Sequence, residues 1–271
     1  MKLTKRRQAT YTVIGVALLA VMLFPVYWMI NTSLQSGNVG AGSTIVPLHP
    51  TLAAYRTALS QQGGNIVTSL IISCGTVLLS LTIAAPAAYV LAKSAIRGRS
   101  LTLLALVITQ MIPSIVIANS LYPAFNDIGL LNSRLGLVLA DTSTALPFAI
   151  LIMRAFMVSL PGEIVEAAQV DGAGFVRRFV SIVLPISRNA LITAGLFSFL
   201  FSWSDFLFAL TLTTGTNLSP VTLGIYSYLG GQIQSWGPVM ATGVLSALPA
   251  IVLLAFAQRF ISVGQLNGAV K

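Results

Sequence analysis

Titratable side chains are scarce in this chain. Its 271 residues include six Asp and Glu, one His and one Cys, and charged residues of both signs reach only 8%. Each shortage removes a class of function. Against 56% hydrophobic residues and a mean hydropathy of +0.89, so few charges leave too little polar surface to cover a water-soluble core. The lone Cys74 has no intrachain disulfide partner, and the absence of a CxxC or Cys/His cluster argues against a redox pair or a structural zinc. His49 stands in a polar segment without a nucleophile-and-acid set, and no GxxxxGKS/T run is present to cradle nucleotide phosphates. The expectation is a polytopic membrane protein that is not a catalyst, with no metal ligands and no cofactor of its own.

What is present is cationic and apolar. The net charge of +9 could suggest nucleic acid, but the basic residues are dispersed at the ends of apolar runs, which is the signature of membrane topology. A basic stretch from Lys2 to Arg7 precedes an apolar run of about 20 residues, longer than a signal-peptide core and without a small-residue cleavage site beyond it. It reads as an uncleaved first span. Runs long enough to cross a bilayer cover approximately 11–30, 66–92, 101–122, 136–158, 191–214 and 238–258.

Six spans put both termini on one side, and the basic residues choose which. Lys2, Lys5, Arg6, Arg7, Lys93, Arg97, Arg99, Arg154, Arg177, Arg178, Arg188, Arg259 and Lys271 fall on that side, leaving Arg56 and Arg134 of the 15 for the other. The positive-inside rule makes the first side cytoplasmic. An all-α protein of six transmembrane helices with both termini inside follows. Its parts are an N-terminal basic segment, first span and outer loop (1–65), a core of five spans (66–260) with a cytoplasmic loop at 161–188, and a cytoplasmic tail (261–271). There is no internal repeat, and no soluble domain of useful size remains.

Three of the six acids, Glu163, Glu166 and Asp171, fall in that one cytoplasmic loop. Residues 163–170 are helix formers with acids in the first turn, Gly172 and Gly174 interrupt them, and a second short basic helix is expected over 175–182. Pro185 would mark the start of span five. A solvated surface loop accounts for this composition as well as a docking element does.

The spacing separates the two. Glu166-Ala167-Ala168, three residues, Gly172, nine residues, Ile182, one residue, Leu184-Pro185 resembles, position for position, the loop of permease subunits of binding-protein-dependent ABC importers. That resemblance implies the type I importer permease fold. In that family the loop forms coupling helices that sit in a cleft of a cytoplasmic ATPase. It therefore implies that Glu166, Ala167, Ala168, Asp171 and Gly172 contact the ATPase, with Ile182, Leu184 and Pro185 completing the motif. Small alanines allow close approach and Gly172 permits a sharp turn, so the physics is compatible. The segment 258–271 and Ser202-Trp203-Ser204-Asp205-Phe206 resemble the tail and fifth span of sugar-importer permeases similar to the shorter permease of maltose-type systems. Ser204-Asp205 departs from an Asn-Glu pair more usual there, and the tail lacks a Gly after the final Lys.

Asp141 and Asp205 lie within spans, in the outer half of the bilayer, where a carboxyl is costly enough to be a functional candidate. For Asp141 the simpler expectation is a bond to a neighbouring helix. Small and polar residues recur at helical spacing in span five (Leu191, Gly195, Ser198, Ser202, Asp205, Ala209) and span two (Ser69, Ser73, Thr76, Ser80, Ala84, Ala87). Such stripes usually mean close helix packing, yet a path for a hydroxylated solute could use Asp205, Ser202, Ser198 and Ser73, with Gln110 and Asn119 of span three. Tyr122, Trp203, Tyr226, Tyr228 and Trp236 are expected mostly as interface anchors.

Together these readings, with the resemblance, imply a permease subunit of a bacterial ABC importer in the cytoplasmic membrane, carrying an oligosaccharide or a related glycoside or polyol. Its implied partners are a homologous permease in a heterodimer, two cytoplasmic ATPase domains that hold ATP and Mg, and an extracytoplasmic sugar-binding protein. A glycerol-phosphate permease and a stand-alone proton-coupled carrier using Asp141 and Asp205 are the alternatives.

Overall fold

A computed structural model describes residues 5–35, 44–214, 218–230 and 235–266. The described residues are helical throughout their ordered elements: α1 (Lys5–Ser33), α2 (Ala53–Lys93), α3 (Arg99–Thr109), α4 (Ser114–Asp127), α5 (Arg134–Val158), α6 (Gly162–Val170), α7 (Phe175–Arg178), a π-helical turn (Phe179–Val183), α8 (Leu184–Ile186), α9 (Arg188–Trp203), α10 (Leu207–Leu212), α11 (Val221–Gly230) and α12 (Trp236–Leu266). Four of these helices are long and apolar enough to cross a membrane alone, and two bent pairs bring the number of spans to six.

Span two is longer than the sequence suggests. Its 41 residues extend about 60 Å at 1.5 Å each, twice the ~30 Å hydrocarbon thickness. Hydropathy sees only the apolar part, because the first turns (Ala53 to Asn65) carry Arg56, Gln61, Gln62, Gly63, Gly64 and Asn65 and are not apolar.

Span three is not the single helix expected over 101–122. The chain bends by 94° between α3 and α4. Pro113 at the junction is extended (φ −60°, ψ 134°) and has no N–H to offer the preceding turn. The other span prolines, Pro25, Pro86, Pro147 and Pro249, sit inside continuous helices. Span five is also interrupted: α9 stops at Trp203 and α10 begins at Leu207. Pro185 does not mark the start of that span. Helix continues through it to Ile186, the π-helical turn accommodating the missing donor, and the 77° bend follows at Ser187.

The molecule divides into two compact units. In the unit of Met1–Gly63 and Ile225–Leu248, Tyr27 donates its hydroxyl to the Ile45 carbonyl and Asn31 Nδ2 donates to Thr44 O at 2.7 Å. Ser33 and Tyr55 hydroxyls are 2.7 Å apart, and Tyr228 Oη donates to Gln61 Oε1 at 3.0 Å. Residues 7–27 of α1 are exposed along their whole length, so this helix has its apolar surface turned to lipid or to another subunit.

In the unit of Gly64–Gly224 and Pro249–Lys271, α5 packs along α9. Ala84, Ala88, Ala149, Ala190 and Ala194 are fully buried there around Met153 and Met157. Small residues let membrane helices approach closely, which is what the two polar stripes do: Ser69, Ser73, Thr76, Ser80, Ser198 and Ser202 are all buried. Trp203, expected at an interface, is buried and stacks on Phe199 with ring centroids 5.4 Å apart.

The start of α5 is tightly built. Ser133 caps it by accepting the Gly136 N–H at 2.9 Å, and a Cβ on Gly136 would lie 2.3 Å from the Leu130 carbonyl oxygen. Gly136→Ala should therefore cost about 1 to 3 kcal/mol through backbone displacement. A lowered melting temperature of the purified protein in detergent checks this; an unchanged one contradicts it.

Candidate functional site

The cytoplasmic loop folds as two short helices joined by a fixed turn. Pro161 is extended and starts α6, and Glu163 in its first turn complements the helix dipole. The end of α6 is a Schellman cap: Ala173 N–H donates to Ala168 O at 2.9 Å and Gly172 N–H to Gln169 O at 3.1 Å, with Gly172 at φ +80°. Arg178 Nη1 donates to Gln169 Oε1 at 2.5 Å, tying α7 back to α6.

The inner ends of two spans hold this element in place. Lys93, the last residue of α2, donates to Leu160 O at 2.5 Å and Val158 O at 3.3 Å, just beyond α5. The ring of Tyr89 packs on Phe175 and Phe179 with centroids 6.1 and 5.5 Å away. A force on the loop therefore reaches α2 and α5 directly.

Glu166, Ala167, Asp171, Gly172 and Pro185 are exposed, while Ala168 is buried under the turn and Ile182 and Leu184 are half-buried. The loop motif thus contains two kinds of residue, some on the free face and some packing inward. The free face also carries apolar residues that the motif does not include: Val170 is 88% exposed, Val176 71% and Phe175 57%. A valine placed between acidic and glycine positions of a charged loop was the available signal.

Within the membrane, the two span breaks and α5 enclose a cavity of about 390 Å³. Asp141, Asp205, Gln110, Ser143, Thr144 and Ser204 supply its polar wall, and Phe201 and Phe206 supply rings. The two acids, far apart in sequence, converge on it. Asp141 is only 3% exposed. Its Oδ2 accepts the Ser202 hydroxyl at 2.5 Å, Ser202 accepts from Thr76 Oγ1 at 3.4 Å, and Oδ1 has no hydrogen-bond partner. The expected helix-to-helix bond is thus present, from α5 to α9 and on to α2.

Asp205 restarts the broken span. Its Oδ1 accepts the Phe208 N–H at 3.3 Å and its Oδ2 the Ala209 N–H at 3.1 Å, satisfying the first turn of α10. Thr222 Oγ1 donates to the Asp205 carbonyl at 2.6 Å and fixes the break itself. A Ser-Asp pair ahead of an apolar run is a helix-start signal, masked here by the continuous apolar run over 191–214.

Of the remaining path candidates, Ser202 and Ser73 are buried between helices and Ser198 likewise, none of them on the cavity wall; Asn119 is exposed on α4. A larger groove of about 890 Å³ along α2, α9 and α12 is lined almost wholly by aliphatic and aromatic side chains and holds no comparable polar set. Residues 267–271 of the tail, and residues 215–217 and 231–234 ahead of the last span, lie outside the described residues.

Comparison with known proteins gives this geometry a family. The chain is 31% identical over 266 residues to the trehalose/maltose transport system permease protein MalG of Thermococcus litoralis, covering 96% of this chain and 95% of that one. It is 30% identical over 272 residues to the trehalose transport system permease protein SugB of Mycobacterium tuberculosis, covering 98% of each. The fold matches a chain of a bacterial ABC transporter involved in the import of the acidic polysaccharide alginate, with a TM-score of 0.77, 22% identity, and 96% and 99% coverage. Residues 80–263 match the family described as binding-protein-dependent transport system inner membrane component. With that match running from within α2 to within α12 and including both the loop and the cavity, the chain belongs to the family of binding-protein-dependent transport system inner membrane components, the multi-pass permease subunits of ABC importers.

Proposed function

We propose that this chain is the permease through which an ATP-driven importer moves an oligosaccharide, or a related glycoside or polyol, across a bacterial cytoplasmic membrane. It pairs with a homologous permease as a heterodimer. Two cytoplasmic ATPase domains supply the energy and hold ATP and Mg, and an extracytoplasmic sugar-binding protein delivers the cargo. The observation that carries the coupling role is the loop itself: a rigidly capped turn, clamped to α2 and α5 at one side and exposing Val170 and Val176 at the other. Sugar as the cargo is supported by relatives named for trehalose and maltose transport.

Glu166, Ala167, Asp171 and Gly172 form the surface presented to the ATPase, with Val170 and Val176 as its apolar contacts. Ala168, Ile182, Leu184 and Pro185 shape and anchor it. The cavity between the span breaks is this subunit's share of the path, with Asp205 and Gln110 on its wall; Ser202 bonds the surrounding helices through Asp141 and Thr76, and Ser198 and Ser73 pack between them.

The test is uptake by cells with and without this chain. Loss of uptake of one neutral oligosaccharide, glycoside or polyol, and its return when the chain is restored, is the expected result. Unchanged uptake of every member of such a panel would contradict the reading.

A further inference from the structure

The lining of the cavity, taken with the proposed role in sugar import on which this inference rests, restricts the cargo by charge. Gln110 and Ser114 bring neutral donors to the wall, and its only ionisable groups are the two carboxyls. Asp141 Oδ1 has no donor within the protein although the residue is almost wholly buried, and the second oxygen is held by Ser202. Asp205 accepts backbone N–H groups from the start of α10 and still presents its carboxyl on the cavity wall. Ser143 and Ser204 spend their hydroxyl protons on carbonyls of their own helices, leaving their oxygens as acceptors. None of the described residues lining the cavity is Lys, Arg or His.

Sugar hydroxyls and ammonium groups donate hydrogen bonds; carboxylates, sulfonates and phosphates only accept them. A buried acceptor without a donor is costly, so this wall gains from a donor-bearing ligand and loses with an acceptor-only one. Phe201 and Phe206 beside the acids offer apolar ring surface, and a volume of about 390 Å³ falls in the range of small-molecule sites. The geometry points to a cavity that accepts uncharged or amine-bearing sugar rings, with Asp141 and Asp205 as hydroxyl and ammonium acceptors, and that rejects acidic sugars. The solved structure sharing this fold belongs to an importer of an acidic polysaccharide, so the preference is a property of this chain's side chains and not of the fold.

The measurement is saturation-transfer NMR on the purified complex of both permeases and the ATPases, without the binding protein, so that the binding protein's own selectivity does not enter. The probes are maltose, a glucosamine disaccharide and a glucuronate-containing disaccharide. Wild type should favour the first two over the third by about tenfold. Ser204→Lys, which adds a cation to the wall, should narrow or invert that order, and Asp205→Asn, which preserves a capping acceptor, should weaken the glucosamine disaccharide most. Equal binding of the uronate by wild type, an order unmoved in both variants, or no binding of any probe overturns the inference. Sugar uptake by the intact importer then tells which statement has failed: if uptake persists, only the charge preference falls; if no sugar is imported, the proposed function falls with it.

Discussion

Replacing Gly172 with valine is expected to lower ATP-coupled uptake about tenfold or more while the chain still inserts in the membrane. Gly172 is the residue at which α6 ends, and its φ of +80° belongs to the left-handed region. A β-branched residue there costs about 1 to 3 kcal/mol, enough to move the turn to another conformation and not enough to unfold six spans. Crowding of a Cβ contributes nothing, since no atom beyond the adjoining residues lies within 4 Å of the position it would take. The effect is thus purely one of backbone conformation, and it predicts a series. Gly172→Asn should keep most activity, because asparagine tolerates the left-handed region; Gly172→Ala should fall between; Gly172→Val should be worst. Uptake rates in vesicles holding the complete importer, normalised to inserted protein, read the series. Equal rates for the three variants would mean that the Schellman turn does not matter to coupling.

Introducing aspartate at both Val170 and Val176 should separate the ATPase from the membrane subunits, weakening association about a hundredfold. Both side chains are largely exposed, so insertion and melting temperature should stay normal, and the lost association then reports on the contact itself. An apolar cleft that receives a valine would have to bury an unpaired carboxylate instead. Co-purification of the ATPase with tagged permease measures this directly. Retained association in the double variant would move the contact elsewhere on the loop, to Glu166 and Asp171.

The parts of the fold that were legible in the sequence share a physical character: they are local. The fourth span was expected over 136–158 and α5 runs Arg134–Val158, because a capping serine and a hydrophobic run define both ends. The turn after α6 was legible for the same reason, since a glycine at a helix C-terminus reports its own backbone angle. The span breaks were not. A hydropathy window registers that residues 101–122 are apolar and cannot register a 94° bend among them. Proline alone did not mark the bend either, because Pro25, Pro86, Pro147 and Pro249 are absorbed within continuous helices and Pro113 is not.

The meeting of Asp141 with Asp205 was beyond the sequence for a different reason. They are brought together by the packing of α5 on α9 and by the Ser202 hydrogen bond, a tertiary arrangement that no spacing of 64 residues announces. The same holds for the docking face proposed for the loop. The motif named Ala168, Ile182 and Leu184 alongside Glu166 and Gly172, but only burial distinguishes the residues that anchor the element from those left free.

The most direct test of the account is sugar uptake into vesicles of three compositions: the complete importer with ATP inside and loaded binding protein outside, the same vesicles without the ATPase, and vesicles holding this chain alone under an imposed proton gradient. The account predicts uptake in the first only. Uptake by the chain alone, driven by protons and indifferent to ATP, would contradict it.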